Sequence, residues 1–337
     1  MQQPEPSSAN GSPQEILMAP ETGYVVGADI GGTSLRLALA GMDGEVVGKW
    51  KVSTAGIRDP EVVVRLIHEG VEDLLQQKAL SRSLLRAVAA GAPGVTNVDE
   101  GIVLATSYLM GWRDVGLRAL LEASLGVPVA VENDVNMAAI AESEIGVAQG
   151  VRDFVFLAVG TGIGAGIVLN GRLFHGMSWS AGEIGYMLVP GTSVEPVERG
   201  KPGALEGIVG GEGIKTQWQS IWREDRTRLP KDLVATEIFD HALAGEALAQ
   251  TVLQSTAQTL AYAIYNLAVV LNCPLFVLGG SVGLHPALWK LTQEILSQRD
   301  KRVQPRLLRS TLGSDAQVKG AIHLAIETAS ARVLSTP

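Results

Sequence analysis

The chain has 337 residues, 46% of them hydrophobic, and a formal net charge of −8. That length can bury a sizeable core and points to two domains, while the negative balance argues against nucleic acid as the main partner, because phosphate backbones are bound by clustered Lys and Arg. The single cysteine, Cys273, excludes an internal disulfide and points to a reducing, cytoplasmic compartment.

Residues 1–22 are polar and rich in Pro and Ser, without a basic n-region or an apolar h-region. They are expected to form a disordered tail and not a signal peptide. An apolar run then starts at Tyr24, reaches Asp29, breaks at Gly31-Gly32-Thr33 and resumes. In the second run Leu35, Leu37 and Leu39 alternate with Ser34, Arg36 and Ala38, the period of a strand. Asp43-Gly44 reads as a hairpin turn into a third strand over 45–52. A dinucleotide or P-loop site would place a helix after its glycines. Here the glycines sit in a strand-to-strand turn, where backbone amides can cradle an anion. Asp29 either caps that turn or, beside a phosphate chain, orients Mg²⁺ through its water shell.

Further along, 59–80 reads as a helix with Asp59 as N-cap and Pro60 in the first turn. A buried strand over 86–94, a segment 113–126 containing a helix, a strand over 128–132 and a helix over 135–146 follow. Asp134, between that strand and that helix, is placed either to cap the helix or to serve as general base for a hydroxyl nucleophile.

The second half repeats the opening. A strand over 153–160 runs into Thr161-Gly162-Ile163-Gly164, a second strand covers 165–171, and Asn170-Gly171 turns the chain into 172–176. Strand, glycine turn, strand, hairpin and strand thus occur once from Tyr24 and again from Asp153. That separation is too long for a solenoid, so the pattern predicts two lobes of similar design facing a shared cleft. Gly160-x-Gly162-x-x-Ala165, with Glu183 downstream, loosely matches the dinucleotide fingerprint, but the strand that follows disfavours an oxidoreductase. Between Ala247 and Trp289 there is no charged residue. Gln254, Gln258 and Asn266 punctuate this stretch and Pro274 breaks it, so it predicts a buried helix over 242–272 and a strand over 275–281, not a membrane span. A third glycine break follows at Gly279-Gly280-Ser281, then helices from Pro286 and over 315–332.

Taken in order, DIGGT (29–33), GAPG (91–94), GW (111–112), END (132–134), GTGIGAG (160–166), AGEIG (181–185) and LGGS (278–281) resemble the ROK family (repressors, open reading frames, kinases). The resemblance implies an α/β, two-lobed actin-like ATPase (ribonuclease H-like) fold with an interlobe cleft. Residues 23–133 plus about 315–334 would form the small N-terminal lobe and 134–314 the large C-terminal lobe. It implies ATP and Mg²⁺ as cofactors and a hexose or hexose derivative as the substrate whose hydroxyl is phosphorylated. Asp29, Gly31, Gly32 and Thr33 would form the first phosphate loop, with Asp29 reaching Mg²⁺ through water. Thr161, Gly162 and Gly164 would form the second loop, and Gly279, Gly280 and Ser281 would lie near the adenosine. Asn133, Asp134, Glu183 and Glu206 match sugar-binding positions, with Asp134 as base. The family's repressors carry an N-terminal winged helix-turn-helix; the polar residues before Tyr24 place this chain with the kinases. A catalytically weak sugar- or nucleotide-binding regulator is the alternative. A homodimer or higher homo-oligomer is left open, and no membrane or nucleic-acid partner is expected.

The chain departs from the family at its zinc site. Many members carry Glu-x-Gly-His followed by a Cys-rich loop whose three Cys and the His bind zinc. Here Tyr186 stands for the His, and Val197, Arg199 and Ala204 stand where the cysteines belong. No zinc is expected, and packing or an Arg199 ion pair would have to hold the loop. Tyr186 and Tyr108, both at positions matching the family's sugar end, are expected to reshape that pocket.

Overall fold

The computed structural model describes residues 23–106, 109, 111–193, 195, 202–299 and 302–335. The expected tail, Tyr108, Val197 and Arg199 lie outside the described residues.

The opening stretch forms a meander: β1 (Tyr24–Ile30), β2 (Ser34–Gly41) and β3 (Val46–Ser53) pair antiparallel. Helix α1 (Pro60–Gln77) begins as expected, with the Asp59 carboxylate accepting the Glu61 amide at 2.9 Å. It lays Val63, Ile67, Val71 and Leu74 on Leu35, Leu37 and Leu39. Strand β4 (Leu85–Ala92) pairs parallel to β1. Three strands of three or four residues then form a small separate sheet: β5 (Val95–Asn97), β6 (Ile102–Ala105) and β7 (Arg113–Val115). The helix expected within 113–126 is α2 (Leu117–Leu125), which starts only after Gly116 because 113–115 pairs with β6. Strand β8 (Val129–Asn133) completes the first large sheet, in the order β3-β2-β1-β4-β8.

Helix α3 (Asp134–Ile145) leads to the second large sheet. That sheet contains β9 (Phe154–Val159), β10 (Ile163–Leu169), β11 (Arg172–Leu173), β12 (Leu275–Gly279) and β13 (Arg306–Arg309), in the order β11-β10-β9-β12-β13. Each sheet joins an antiparallel trio to two parallel strands. The repeated sequence pattern is thus a repeated topology. Between β11 and β12 come α4 (Glu206–Val209), α5 (Gly211–Ile221), α6 (Ala235–Leu243) and α7 (Ala247–Leu271). The predicted 242–272 helix begins later than expected, because Gly245, with φ at +93°, separates α6 from α7. Among the described residues no helix is long and apolar enough to cross a membrane; α7 instead packs its Ala and Leu residues into the core of the second sheet. Helix α8 (Pro286–Ser297) precedes β13, and α9 (Ala316–Ser335) ends the described chain.

Helices α3 and α9 join the two halves. Helix α3 buries Met137 against the first sheet and α9, while Ala138 and Ala139 pack on Phe154 and Phe156 of the second. It is apolar on more than one side, so no single hydrophobic stripe marks it. The two helices approach so closely at Gly320 that a Cβ there would overlap the Met137 carbonyl. In an open helix position Ala would be more favourable than Gly by about 1 kcal/mol. Here Gly320→Ala is expected to destabilise by roughly 1–3 kcal/mol and to lower the melting temperature by several degrees. An unchanged or higher melting temperature in calorimetry would refute this packing.

Candidate active site

The site forms at the carboxyl ends of the parallel strands. Sheet register places Asp29 beside Gly91 and Gly91 beside Glu132, and Asp29 opposite Arg36 on β2. Arg36 donates from Nε at 2.8 Å and from Nη2 at 2.6 Å, both to Asp29 Oδ2, and from Nη1 to the Ser314 carbonyl. Burial pushes the Asp29 carboxyl above its ordinary range, more than Arg36 pulls it down. The following turn is pinned by the Gly31 amide donating to the Ser34 carbonyl at 2.9 Å, and by Thr54 Oγ1 donating to the Gly31 carbonyl at 2.8 Å. Among the described residues the Gly32 and Thr33 amides meet no acceptor, the condition in which a turn can receive an anion.

The second and third glycine turns lie side by side. The Gly160 amide donates to the Gly162 carbonyl at 3.0 Å, and the Gly211 amide to the Gly160 carbonyl at 2.8 Å. The Val282 and Gly283 amides both donate to the Val159 carbonyl, at 3.0 and 2.9 Å. Gly280 has φ at +80°, and a Cβ there would overlap that same carbonyl, so the Gly279-Gly280-Ser281 turn rests on the end of β9. Strand β10 begins earlier than predicted, at Ile163. Gly164 accordingly stands inside the strand, where a Cβ would press Val135 of α3 at 3.1 Å; Thr161 and Gly162 remain in the turn.

The residues at the start of α3 divide two tasks. Asn133 is the N-cap: its Oδ1 accepts the Val135 and Asn136 amides at 2.8 and 3.0 Å, and its Nδ2 donates to the Gly94 carbonyl at 2.9 Å. Asp134 is the first helical residue; its Oδ1 accepts the Val135 amide at 2.9 Å. Burial first, then the charge of Asp29, then that of Glu183, push the Asp134 carboxyl up to about 7, against the Val135 amide, which lowers it.

The acidic row continues across to the second sheet. Glu183 lies before a single helical turn over 184–186, and burial and the neighbouring Glu206 hold its carboxyl above its ordinary range. Glu206 opens α4 and accepts the Ile163 amide at 3.2 Å. Tyr186 is half exposed on the same turn. The structure therefore brings Asp29, Asp134, Glu183 and Glu206 into one chain of mutually repelling carboxyls flanked by the glycine turns. The segment that matches the family's zinc loop is held at its described end by packing and backbone hydrogen bonds. Leu205 is fully buried, its amide donates to the Met187 carbonyl at 3.1 Å, and Gly203 packs on the Gly185 backbone. Among the described residues no group of three or more His, Cys, Asp and Glu side chains is placed to hold a metal ion.

Sequence reading missed two partners. Arg36 could have been found, since counting back across the hairpin sets it opposite Asp29. The contact of His175 with Glu132, at 2.7 Å, joins residues 43 apart with no local signal.

The ROK family model matches residues 25–328. The glucokinase of Halalkalibacterium halodurans is 34% identical over 310 residues, covering 88% of this chain and 93% of that protein. The N-acetylmannosamine kinase of Citrobacter koseri is 32% identical over 300 residues, covering 88% of this chain and 97% of that protein. A ROK family glucokinase from Streptomyces griseus, solved in complex with glucose and AMPPNP, superposes with a TM-score of 0.74 at 25% identity, covering 90% of this chain and 100% of that one. With the family model spanning most of its length and relatives more than 30% identical, this chain belongs to the ROK family.

Proposed function

We propose that this chain is an ATP-dependent sugar kinase in which Asp134 takes the proton from the hydroxyl that attacks the γ-phosphorus of ATP. The observation that carries this reading is the division of labour at the start of α3. Asn133 caps the helix, so Asp134 is not needed as the cap, and its carboxyl is tuned to about 7. A base whose pKa lies near the working pH combines a useful ionised fraction with proton affinity.

The residues present fit Mg²⁺ and a phosphate chain. The free amides of Gly32 and Thr33 offer donors. Both Arg36 bonds fall on Asp29 Oδ2, which leaves Oδ1 to accept from water on a cation. Thr161 and Gly162 face the same task from the second sheet, and Gly279, Gly280 and Ser281 are assigned to the nucleoside side. When bound with the nucleotide, Mg²⁺ supplies charge neutralisation on the phosphate oxygens. Asn133, Glu183 and Glu206 accept or donate to sugar hydroxyls, and this positioning accounts for much of the catalysis in phosphoryl transfer.

We assign Tyr186, on the turn that follows Glu183, to the sugar's rim, and Tyr108 joins it through the family resemblance alone. A phenol in place of an imidazole changes which hydroxyl can be paired there. The test is coupled ADP release over hexoses, N-acetylhexosamines and polyols. Sugar-dependent ADP release is expected, with kcat/KM for glucose at least about tenfold below that of the best substrate, the worth of one well-placed hydrogen bond. Glucose as the best substrate by a wide margin would overturn the reading of the tyrosines; no sugar-dependent ADP release at all would overturn the kinase.

A further inference from the structure

Strand β8 is the edge of the first sheet and β11 the edge of the second. Glu132 stands near the end of β8, and His175 lies two residues beyond the end of β11. Their side chains meet: His175 Nε2–H donates to Glu132 Oε2 at 2.7 Å. Glu132 is buried, and its other oxygen, Oε1, accepts the Asn133 amide at 2.8 Å and Asn136 Nδ2 at 2.9 Å. One carboxylate thus grips the residue just before Asp134 and the residue two beyond it.

On the imidazole side, the chain from His175 leads directly to Glu183. The Ala181 amide donates to the His175 carbonyl at 3.1 Å, and the Ala165 amide donates to the Gly182 carbonyl at 2.9 Å. Trp179 tilts against the His175 ring, centroids 5.6 Å apart, with its own φ at +63°. Bulky residues rarely take that conformation without a constraint that holds them in it. The pair also lies in the wall of a cavity of about 600 Å³, so close packing does not confine Glu132 on that side.

We infer that Glu132 and His175 are a positioning pair for phosphoryl transfer: the imidazole, carried from the second sheet, fixes the carboxylate that orients the turn presenting Asp134. The inference rests on Asp134 being the base. It adds that one contact between two sheet edges sets the base relative to the loop bearing Glu183. A buried carboxylate that loses its partner must turn, protonate or recruit water, and small displacements of a reacting group cost up to about 10²-fold in rate. The hydrogen bond to Glu132 also holds the imidazole above its ordinary pKa, so the pair is a charge-assisted one.

Two polar substitutions separate positioning from mere stability. In His175→Gln the amide nitrogen can reach the place of Nε2; in His175→Asn it cannot. Steady-state kinetics on the best sugar should give kcat within about threefold of wild type for His175→Gln. For His175→Asn kcat should fall about 10–100-fold, with KM for sugar and ATP within about threefold. Melting temperatures of the two variants should agree within a few degrees. Equal kcat in the two variants, or a loss seen in KM and not in kcat, would overturn the inference. Asp134→Asn run alongside keeps the two readings apart. An inactive Asp134→Asn with an active His175→Asn sinks only the positioning pair, while an active Asp134→Asn sinks the base on which it rests.

Discussion

Between pH 7 and pH 5, kcat/KM for the best sugar should fall by about 50-fold, approaching about tenfold per unit below a midpoint near 7. An ordinary aspartate would show no such limb, because it stays ionised throughout that range. Asp134 differs because burial raises its carboxyl to about 7 and the charges of Asp29 and Glu183 add to the rise. The sign follows from the role: the base acts ionised, so activity appears as the proton leaves and is lost as pH falls through about 7. Glu183 is itself held above its ordinary range by burial and by Glu206. Asp29→Asn removes the nearest repulsive charge and should move the midpoint down. A profile of kcat/KM that is flat from pH 5.5 to 7.5 would show that Asp134 is not the titrating base.

The same shift acts on stability in the opposite sense to a salt-bridged aspartate. In the folded chain Asp134 titrates near 7, and its unperturbed value is 3.8. Ionising it therefore costs the folded state. The cost is absent below about pH 4, grows through the interval and is fully present above about 7. The protein keeps this cost at its candidate active site, as is common for groups tuned to catalysis.

How far such features could be read in advance depended on their range along the chain. The alternation of Leu35, Leu37 and Leu39 and the Asp43-Gly44 turn are local signals, and the meander formed with nearly the predicted bounds. The two glycine-turn repeats were legible for the same reason, and they became two sheets of matching order. Strands β5, β6 and β7 were not, because three or four residues hold too little period to recognise. Gly245 could have marked the break before α7, but the predicted helix ran straight through it from 242.

At the site, sequence left Asp134 as either the cap of α3 or the general base and did not mark Asn133 as the cap, although both residue types cap helices well. The backbone decides: Asn133 has φ −65° and ψ 143°, the extended geometry of an N-cap, and Asp134 is already helical. Contacts such as Glu132 with His175 depend on how two sheets are set against each other, and no local pattern encodes that. Tyr186 was visible as a departure, and its half-exposed place beside Glu183 is consistent with a rim position.

The most direct test of the account is the turnover of Asp134→Asn on the best sugar. Because Asn133 supplies the cap, the substitution leaves the start of α3 intact, and it removes a carboxylate whose ionisation costs the fold. The melting temperature at pH 8 should be unchanged or higher. ATP binding should persist, since Asp29 and the glycine turns are untouched. With its proton acceptor gone, kcat should fall by roughly 10²–10⁴-fold, and the acid limb near pH 7 should vanish from the residual activity. A folded Asp134→Asn with near-normal turnover would contradict the account and turn the search for the base to Glu183.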